Sequence, residues 1–280
     1  MKKVLITGVN SYVGNSLETW LQQYPEEYKV DKISVRHDDW KEKDFSQYDS
    51  IVHVAGIAHQ KETKKNRDLY YRRNRDLAID LANKSKKDGV KHFVFLSTMS
   101  VYGIEEGVIT EDTPLIPKTH YGISKKEAEE SIASLEDENF KVAILRPPMI
   151  YGKGCPGNYQ RLRKLALILP IFPDIENKRS MIYVGNLSEF IRVLIKKQLD
   201  GVYCPQNSEY VKTSEMVKGI AENNHKNIKL TKIFNPFIKI MKISLVKKVF
   251  GDLVYDQNLM QKLVLDNLVS NQGTIILSEE

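Results

Sequence analysis

The chain has 280 residues, 41% of them hydrophobic and 28% charged, with a formal net charge of +6. That length supports a full-sized core, as one large domain or a domain with a smaller appendage, and the composition excludes disordered and collagen-like chains. Two cysteines, Cys155 and Cys204, form no C-x-x-C pair and suggest neither a disulfide framework nor a zinc site. The positive charge is spread over runs such as Lys61 to Lys65 and Lys84 to Lys91, which read as solvated helix faces with a general pull on anionic ligands. Nucleic acid is not required as a partner.

In chain order, Met-Lys-Lys leads straight into Val4-Leu5-Ile6-Thr7-Gly8, an apolar segment too short for a signal-peptide core. No stretch approaches the roughly 18 apolar residues of a transmembrane helix, so a cytoplasmic protein with no stable membrane insertion is expected. Short apolar strands are predicted at Val4 to Thr7, Val30 to Val35, Ile51 to Ala55, His92 to Leu96 and Val142 to Leu145. Helical stretches lie between them near Val13 to Gln23, Arg67 to Lys87 and Tyr121 to Leu135. This alternation predicts βαβ units and a parallel sheet covered by helices on both faces. After Pro147-Pro148 the rhythm loosens, with Gly152, Gly154, Pro156 and Gly157 crowding one loop. Val202 to Cys204 is expected to return a strand to the sheet, followed by a helix opening at Thr213. Farther on, Asn235 can cap and Pro236 begin a basic amphipathic helix running to Lys248, whose apolar stripe is expected to pack on its own domain rather than on a membrane.

Chemistry enters with the turn after the first strand. Thr7-Gly8-Val9-Asn10-Ser11-Tyr12-Val13-Gly14 joins a strand to a helix start, where backbone N–H groups can approach a pyrophosphate at the positive end of the helix. Tyr121 and Lys125 stand one helical turn apart. A lysine so placed is expected to lower the tyrosine pKa and make it a usable acid or base. His53, His59 and His120 have no ligand spacing and read as core or loop histidines, so no metal is assigned.

These segments resemble the extended short-chain dehydrogenase/reductases, the family of nucleotide-sugar epimerases, dehydratases and ketoreductases. The resemblance spans residues 1 to about 225. It implies an α/β fold, a Rossmann-type doubly wound parallel sheet with a small C-terminal substrate-binding domain. Residues 1–150, joined by about 181–206, would bind NAD(P); 151–180 and 207–280 would bind substrate. The family turn T-G-x-x-G-x-x-G keeps Thr7, Gly8 and Gly14 here, with Ser11 in place of the middle glycine. By resemblance the cofactor lies against Gly8, Asn10, Ser11, Tyr12, Val13 and Gly14. Asp44 and Phe45 would lie beside its adenine, Val54, Ala55 and Gly56 along its ribose, and Pro148 beside the nicotinamide; Asn74 matches a structurally important helix asparagine. Thr98, three positions before Val101-Tyr102-Gly103, matches the hydroxyl of a catalytic triad with Tyr121 and Lys125, although Ser97 and Ser100 are close by. Ser100, Asn158 and Arg179 are the implied substrate contacts, Arg179 on the sugar-nucleotide diphosphate.

The implied reaction is hydride transfer at C4 of a UDP-sugar. Dehydratases of the family place an acidic pair after the threonine, whereas this chain has Met99-Ser100. Reduction of a UDP-4-keto-6-deoxy-N-acetylhexosamine is favoured, with UDP-glucose or UDP-N-acetylglucosamine 4-epimerisation as the alternative. Ser34-Val35-Arg36 at the end of the second strand favours NADP(H) over NAD(H), although Asp38 could instead reach the ribose. Relatives that serve as NADP(H) sensors commonly lack the tyrosine or lysine, and both are present here. The resemblance also implies a homodimer through the helices after Arg67 and at Tyr121, although their exposed faces are rich in Lys and Glu.

Overall fold

The computed structural model describes the chain except for residues 59, 61, 64, 241–243, 261–268 and 280; His59 and part of the predicted 236–248 helix thus lie outside the described residues. The chain divides into two compact units. The first comprises 1–103, 114–147 and 187–205, the second 104–113, 148–186 and 206–280. Elements are numbered along the whole chain.

The first unit holds β1 (Lys2–Thr7), β2 (Tyr28–Ile33), β3 (Ser50–His53), β4 (His92–Leu96), β6 (Lys141–Leu145) and β10 (Gly201–Tyr203). They form one six-stranded sheet in the order β10-β6-β4-β3-β1-β2, with every neighbouring pair parallel. Leu5, Ile51, Phe93 and Val142 stand in register across four strands and so share a face. They form one core with Ala78, Leu81 and Ala82 of α3 (Leu77–Lys87) and Ala128 and Ile132 of α4 (His120–Ala133). Ile6, beside Leu5, must point to the other face. There α1 (Tyr12–Leu21) approaches it through Gly14, and Trp20 Nε1 donates to Glu189 of α6 (Val184–Lys197) at 2.8 Å. Helices therefore cover both faces, as the Rossmann-type reading requires. The chain leaves β1 for β2 on one side and then passes to β3 on the other. That switch point opens a crevice beyond the carboxyl ends of β1 and β3.

The stretch read as one helix from Arg67 to Lys87 is interrupted. It begins as α2 (Arg67–Tyr70), widens into a π-helical turn over Tyr71–Asp76, and resumes as α3. The wide turn carries Asn74, buried and bonded to the backbone of Ile57. Such turns break the regular ladder, and residue periodicity does not reveal them.

The second unit contains three short parallel pairs: β5 (Gly107–Ile109) with β12 (Leu253–Tyr255), β7 (Met149–Tyr151) with β9 (Met181–Tyr183), and β8 (Ile171–Pro173) with β11 (Lys229–Thr231). Its helices are α5 (Asn158–Ile168), α7 (Thr213–Asn223), α8 (Asn235–Ile240), α9 (Ser244–Phe250) and α10 (Asn271–Leu277). Tyr159 and Arg163 of α5 reach Glu279 beyond α10 at 2.6 and 2.7 Å, and Arg163 also donates to Asn224 at 3.1 Å. The expectation for the basic helix is corrected over its first part only, since in α9 Val246 is half-buried and the Phe250 ring meets Phe172 at 5.7 Å. Ile233, Phe237 and Ile240 do not pack on their own domain but are 75%, 69% and 78% exposed. Asn235 bonds the carbonyl of Asp174 at 2.8 Å, and only Ile238 of the α8 apolar residues turns partly inward, so the helix sits with that stripe facing out.

Two glycines test how the first unit is held. Gly103 has φ +67°, and a Cβ there would lie 1.8 Å from the Ile116 carbonyl oxygen; Gly89 has φ +83° but open space around it. Gly89→Ala is expected to cost about 1–2 kcal/mol from backbone strain alone. Gly103→Ala should cost clearly more than that, because the carbonyl must also move. Urea unfolding of the two variants checks the order.

Candidate functional site

The crevice is built from turns at the carboxyl ends of the strands. Gly8, after β1, takes φ +91°, and a Cβ on it would lie 3.2 Å from the Cβ of Ala55, so the turns after β1 and β3 run side by side. Ser11 is the N-cap of α1 and accepts from the Gly14 N–H at 3.3 Å. The serine that replaces a family glycine thus has a definite duty, satisfying one first-turn amide. Helix geometry leaves the Val13 N–H without an intrahelical acceptor. Gly14 lets α1 lie close on the sheet, since a Cβ there would meet Ile6 at 3.1 Å and Val54 at 3.2 Å. Asn10 is exposed, Tyr12 half-buried and the Val13 side chain buried.

Beyond β3, Asn74 grips Ile57 by both backbone groups: Oδ1 accepts from its N–H at 2.7 Å and Nδ2 donates to its carbonyl at 3.0 Å. Gly56 lies between this asparagine and the lysine of α4, with a Cβ position 2.9 Å from Asn74 Oδ1 and 3.7 Å from Lys125 Nζ. A side chain at 56 would fill that floor.

After β4, Thr98 caps a 3₁₀ turn over Met99–Tyr102, its hydroxyl accepting from the Ser100 N–H at 3.2 Å. The same threonine stands by the Tyr121 hydroxyl and favours its ionised form, while its own hydroxyl donates to Ser100 Oγ at 3.3 Å. Gly122 makes that meeting possible, because a Cβ on it would stand 2.7 Å from the Ser100 carbonyl oxygen. The start of α4 is held from two sides. Thr119 accepts from the Gly122 N–H at 3.1 Å, while the Glu62 carboxylate accepts from His120 N–H at 3.0 Å and Tyr121 N–H at 2.9 Å. Nothing in the local pattern around Glu62 announces this role.

Thr98, Tyr121 and Lys125 come together in the first unit, but the expected electrostatics need correction. Lys125 Nζ donates to the Leu96 carbonyl at 2.7 Å and lies 4.5 Å from the centre of the Phe95 ring. Its ammonium is directed at the sheet end. Burial pushes the Tyr121 phenol above its usual value, and Thr98 is what opposes that rise. Burial also lowers Lys125 from 10.5 to about 8, against the attraction of Glu129. His53 is a core residue, with Nδ1 bonded to the Thr7 hydroxyl at 2.7 Å and its ring stacked on Phe95. Burial, helped by the charge of Lys125, holds it near 3, so it is neutral.

The other predicted residues fall in several places. Phe45 fills the core and its N–H donates to Asp88 at 3.0 Å, while Asp44 is exposed and accepts from the Ser46 N–H at 2.8 Å. Arg36 is exposed, and Arg73 Nη1 donates to its carbonyl at 3.2 Å, bringing a second guanidinium to the end of β2. Asp38 pairs with Lys41 at 3.2 Å. Ser100 is exposed beside Thr98. Pro148, Asn158 and Arg179 belong to the second unit, where Asn158 opens α5 and Arg179 donates to the Gly251 carbonyl at 2.9 Å. Arg146 is held by Glu129 at 2.7 Å and Tyr102 at 3.1 Å. Among the described residues, no cluster of three His, Cys, Asp or Glu could hold a metal, and no helix is long and apolar enough to cross a membrane.

The model of the NAD dependent epimerase/dehydratase family matches residues 4–203, a span that contains every element of this site. The chain belongs to that family. As a member of this NAD(P)-dependent epimerase and reductase family it is an enzyme of the extended short-chain dehydrogenase/reductase type. It is 32% identical over 251 residues to a UDP-glucose 4-epimerase of Vibrio cholerae, covering 79% of this chain and 75% of the relative. Two solved structures share the fold. One is the dTDP-4-dehydrorhamnose reductase of Bacillus anthracis in complex with NADP, with TM-score 0.74 and 22% identity over 99% of this chain and 98% of that one. The other is the UDP-glucuronic acid 4-epimerase of Bacillus cereus in complex with NAD, with TM-score 0.74 and 18% identity over 99% and 97%.

The lysine yields a pH test. Its folded value of about 8 lies below the unfolded 10.5, so the unfolded chain binds more protons between those values and stability rises with pH across that window. Below it the buried ammonium costs on the order of 3 kcal/mol. Lys125→Met is therefore expected to unfold at equal or higher urea concentration at neutral pH and to lack that rise. Urea titrations from neutral pH through the window measure both.

Proposed function

We propose that this enzyme transfers a hydride at C4 of a UDP-sugar, as an NADPH-dependent 4-ketoreductase of a UDP-4-keto-6-deoxy-N-acetylhexosamine. The observation that carries the reading is the meeting of Thr98, Tyr121 and Lys125 at the carboxyl end of the sheet, beside the floor formed by Gly56 and Asn74. When bound, the nicotinamide supplies the hydride. Tyr121 delivers the matching proton to the sugar oxygen, and Thr98 orients that oxygen and favours the phenolate left behind. Lys125, already short of hydration, holds the ribose hydroxyls on the nicotinamide side.

The rest of the crevice fits the same group. The turn from Gly8 to Gly14, with Asn10, Ser11, Tyr12 and Val13, offers a close-approach surface and helix amides for the pyrophosphate, and Val54, Ala55 and Gly56 line the ribose path. Arg36, with Arg73 beside it and Asp38 already paired, favours a 2′-phosphate and hence NADPH. Ser100, Asn158 and Arg179 are assigned to substrate. The absence of an acidic pair after Thr98 argues against dehydration. A second reading, 4-epimerisation with retained NAD, draws support from the Vibrio cholerae relative.

Tyr121→Phe is expected to lower turnover of the 4-keto sugar by about 10²–10⁴ while leaving cofactor affinity nearly unchanged. Arg36→Ala should weaken NADPH binding about tenfold or more and leave NADH binding as it was, followed by fluorescence titration. Cofactor released on denaturing the purified protein separates the two readings. Tightly retained NAD would replace the reductase by the epimerase, and unchanged turnover in Tyr121→Phe would remove the proton-transfer role.

A further inference from the structure

The stretch from Lys226 to Phe250 contains seven lysines and no carboxylate. It follows α7, forms β11, and then carries the outward stripe of α8. Ile233, Phe237 and Ile240 are spaced i, i+4, i+7, the spacing that aligns side chains on one helical face, and Phe234 beside them is 44% exposed. Lys229 and Lys232 flank the approach to this stripe and are exposed. Lys229 lies in register with Ile171, itself exposed, so cation and apolar side chain share a face of the β8–β11 ribbon. Of these lysines Lys247 and Lys248 pair with Glu106 and Glu105, at 3.2 and 3.3 Å, while the nearby Asp174 and Glu176 both pair with Lys212, at 3.0 and 2.7 Å. The surface thus combines large exposed apolar side chains with a local excess of lysines over carboxylates.

Each half of that combination restricts what fits. An apolar stripe in water is unfavourable and marks a binding surface when it is contiguous. A nucleic-acid backbone would answer the lysines but leave Phe237 and Ile240 without apolar partners. A neutral apolar groove on a protein would answer the stripe and leave the lysines without partners. An anionic bilayer surface answers both, with the stripe entering the acyl boundary and the lysines remaining among the headgroups.

We propose that this face of the second unit docks the enzyme on anionic membranes, as a peripheral contact that does not span the bilayer. It stands independently of the reaction assigned to the first unit. The test is co-sedimentation of the full chain with phosphatidylcholine vesicles with and without about one third phosphatidylglycerol, a mixture chosen to supply the surface charge that attracts lysines. The protein should pellet with the anionic vesicles and leave them as salt is raised. The double variant Phe237→Ser with Ile240→Ser should reduce the bound fraction at least tenfold while keeping the wild-type circular dichroism and unfolding midpoint. Failure of the wild type to pellet with anionic vesicles overturns the proposal, as does equal binding to neutral ones. Conversion of a dimeric wild type into a monomer by the double variant would assign the stripe to a second copy of this chain and overturn it equally.

Discussion

The site depends on how closely the start of α4 can approach the turn after β4. Two glycines set that distance: Gly122 faces the Ser100 carbonyl oxygen and Gly103 the Ile116 carbonyl oxygen, each where a Cβ would overlap backbone. Backbone cannot yield as a flexible side chain can, so the two segments meet only with hydrogen at those positions. The meeting of Thr98 with Tyr121 follows from that approach. Glu62 then fixes the helix against sliding, because its carboxylate takes the His120 and Tyr121 amides as a pair. A negative group at a helix N-terminus is favourable in its own right. Here it also ties Glu62 to the residue whose orientation matters most.

Burial governs the electrostatics of the site more than proximity of opposite or like charges does. Tyr121 and Lys125 both titrate away from their charged forms, the phenol upward and the ammonium downward. A charged lysine one turn away would by itself favour the phenolate, yet the geometry sends its ammonium to Leu96 and Phe95 instead. Thr98 is the remaining group that stabilises the ionised phenol. On the proposed mechanism this gives the threonine two connected tasks, orienting the sugar oxygen and making proton release from Tyr121 easier.

Much of the first unit was legible in the amino-acid sequence because it rests on local signals. The apolar runs Val4 to Thr7, Ile51 to Ala55 and His92 to Leu96 announce strands, the second ending two residues earlier at His53, and their alternation with helical periods specifies a parallel sheet. The Gly8 to Gly14 turn and the spacing of Tyr121 and Lys125 are likewise local. What escaped depends on residues distant in sequence or on a face whose covering is not encoded nearby. Glu62 caps a helix that begins 58 residues later, and Arg73 reaches Arg36 across 37 positions. The π turn at Tyr71–Asp76 leaves the apolar period almost unchanged. For Ile233, Phe237 and Ile240 the period identifies a face correctly, but no periodicity tells whether that face meets protein, lipid or water.

The buried ammonium also bears on why the first unit would bind a dinucleotide firmly. Among the described residues Lys125 meets the Leu96 carbonyl and the Phe95 ring, against the three donors an ammonium carries. Its lowered affinity for protons measures how incompletely those contacts replace water. Hydroxyls of a bound ribose would supply acceptors at the uncovered floor by Gly56, within reach of the same Nζ. On the proposed mechanism such hydroxyls would relieve a cost already incurred in folding and so add to the ligand's affinity. A lysine left half satisfied is in this sense a better anchor than one already paired, and Glu129, which could have neutralised it, is instead committed to Arg146.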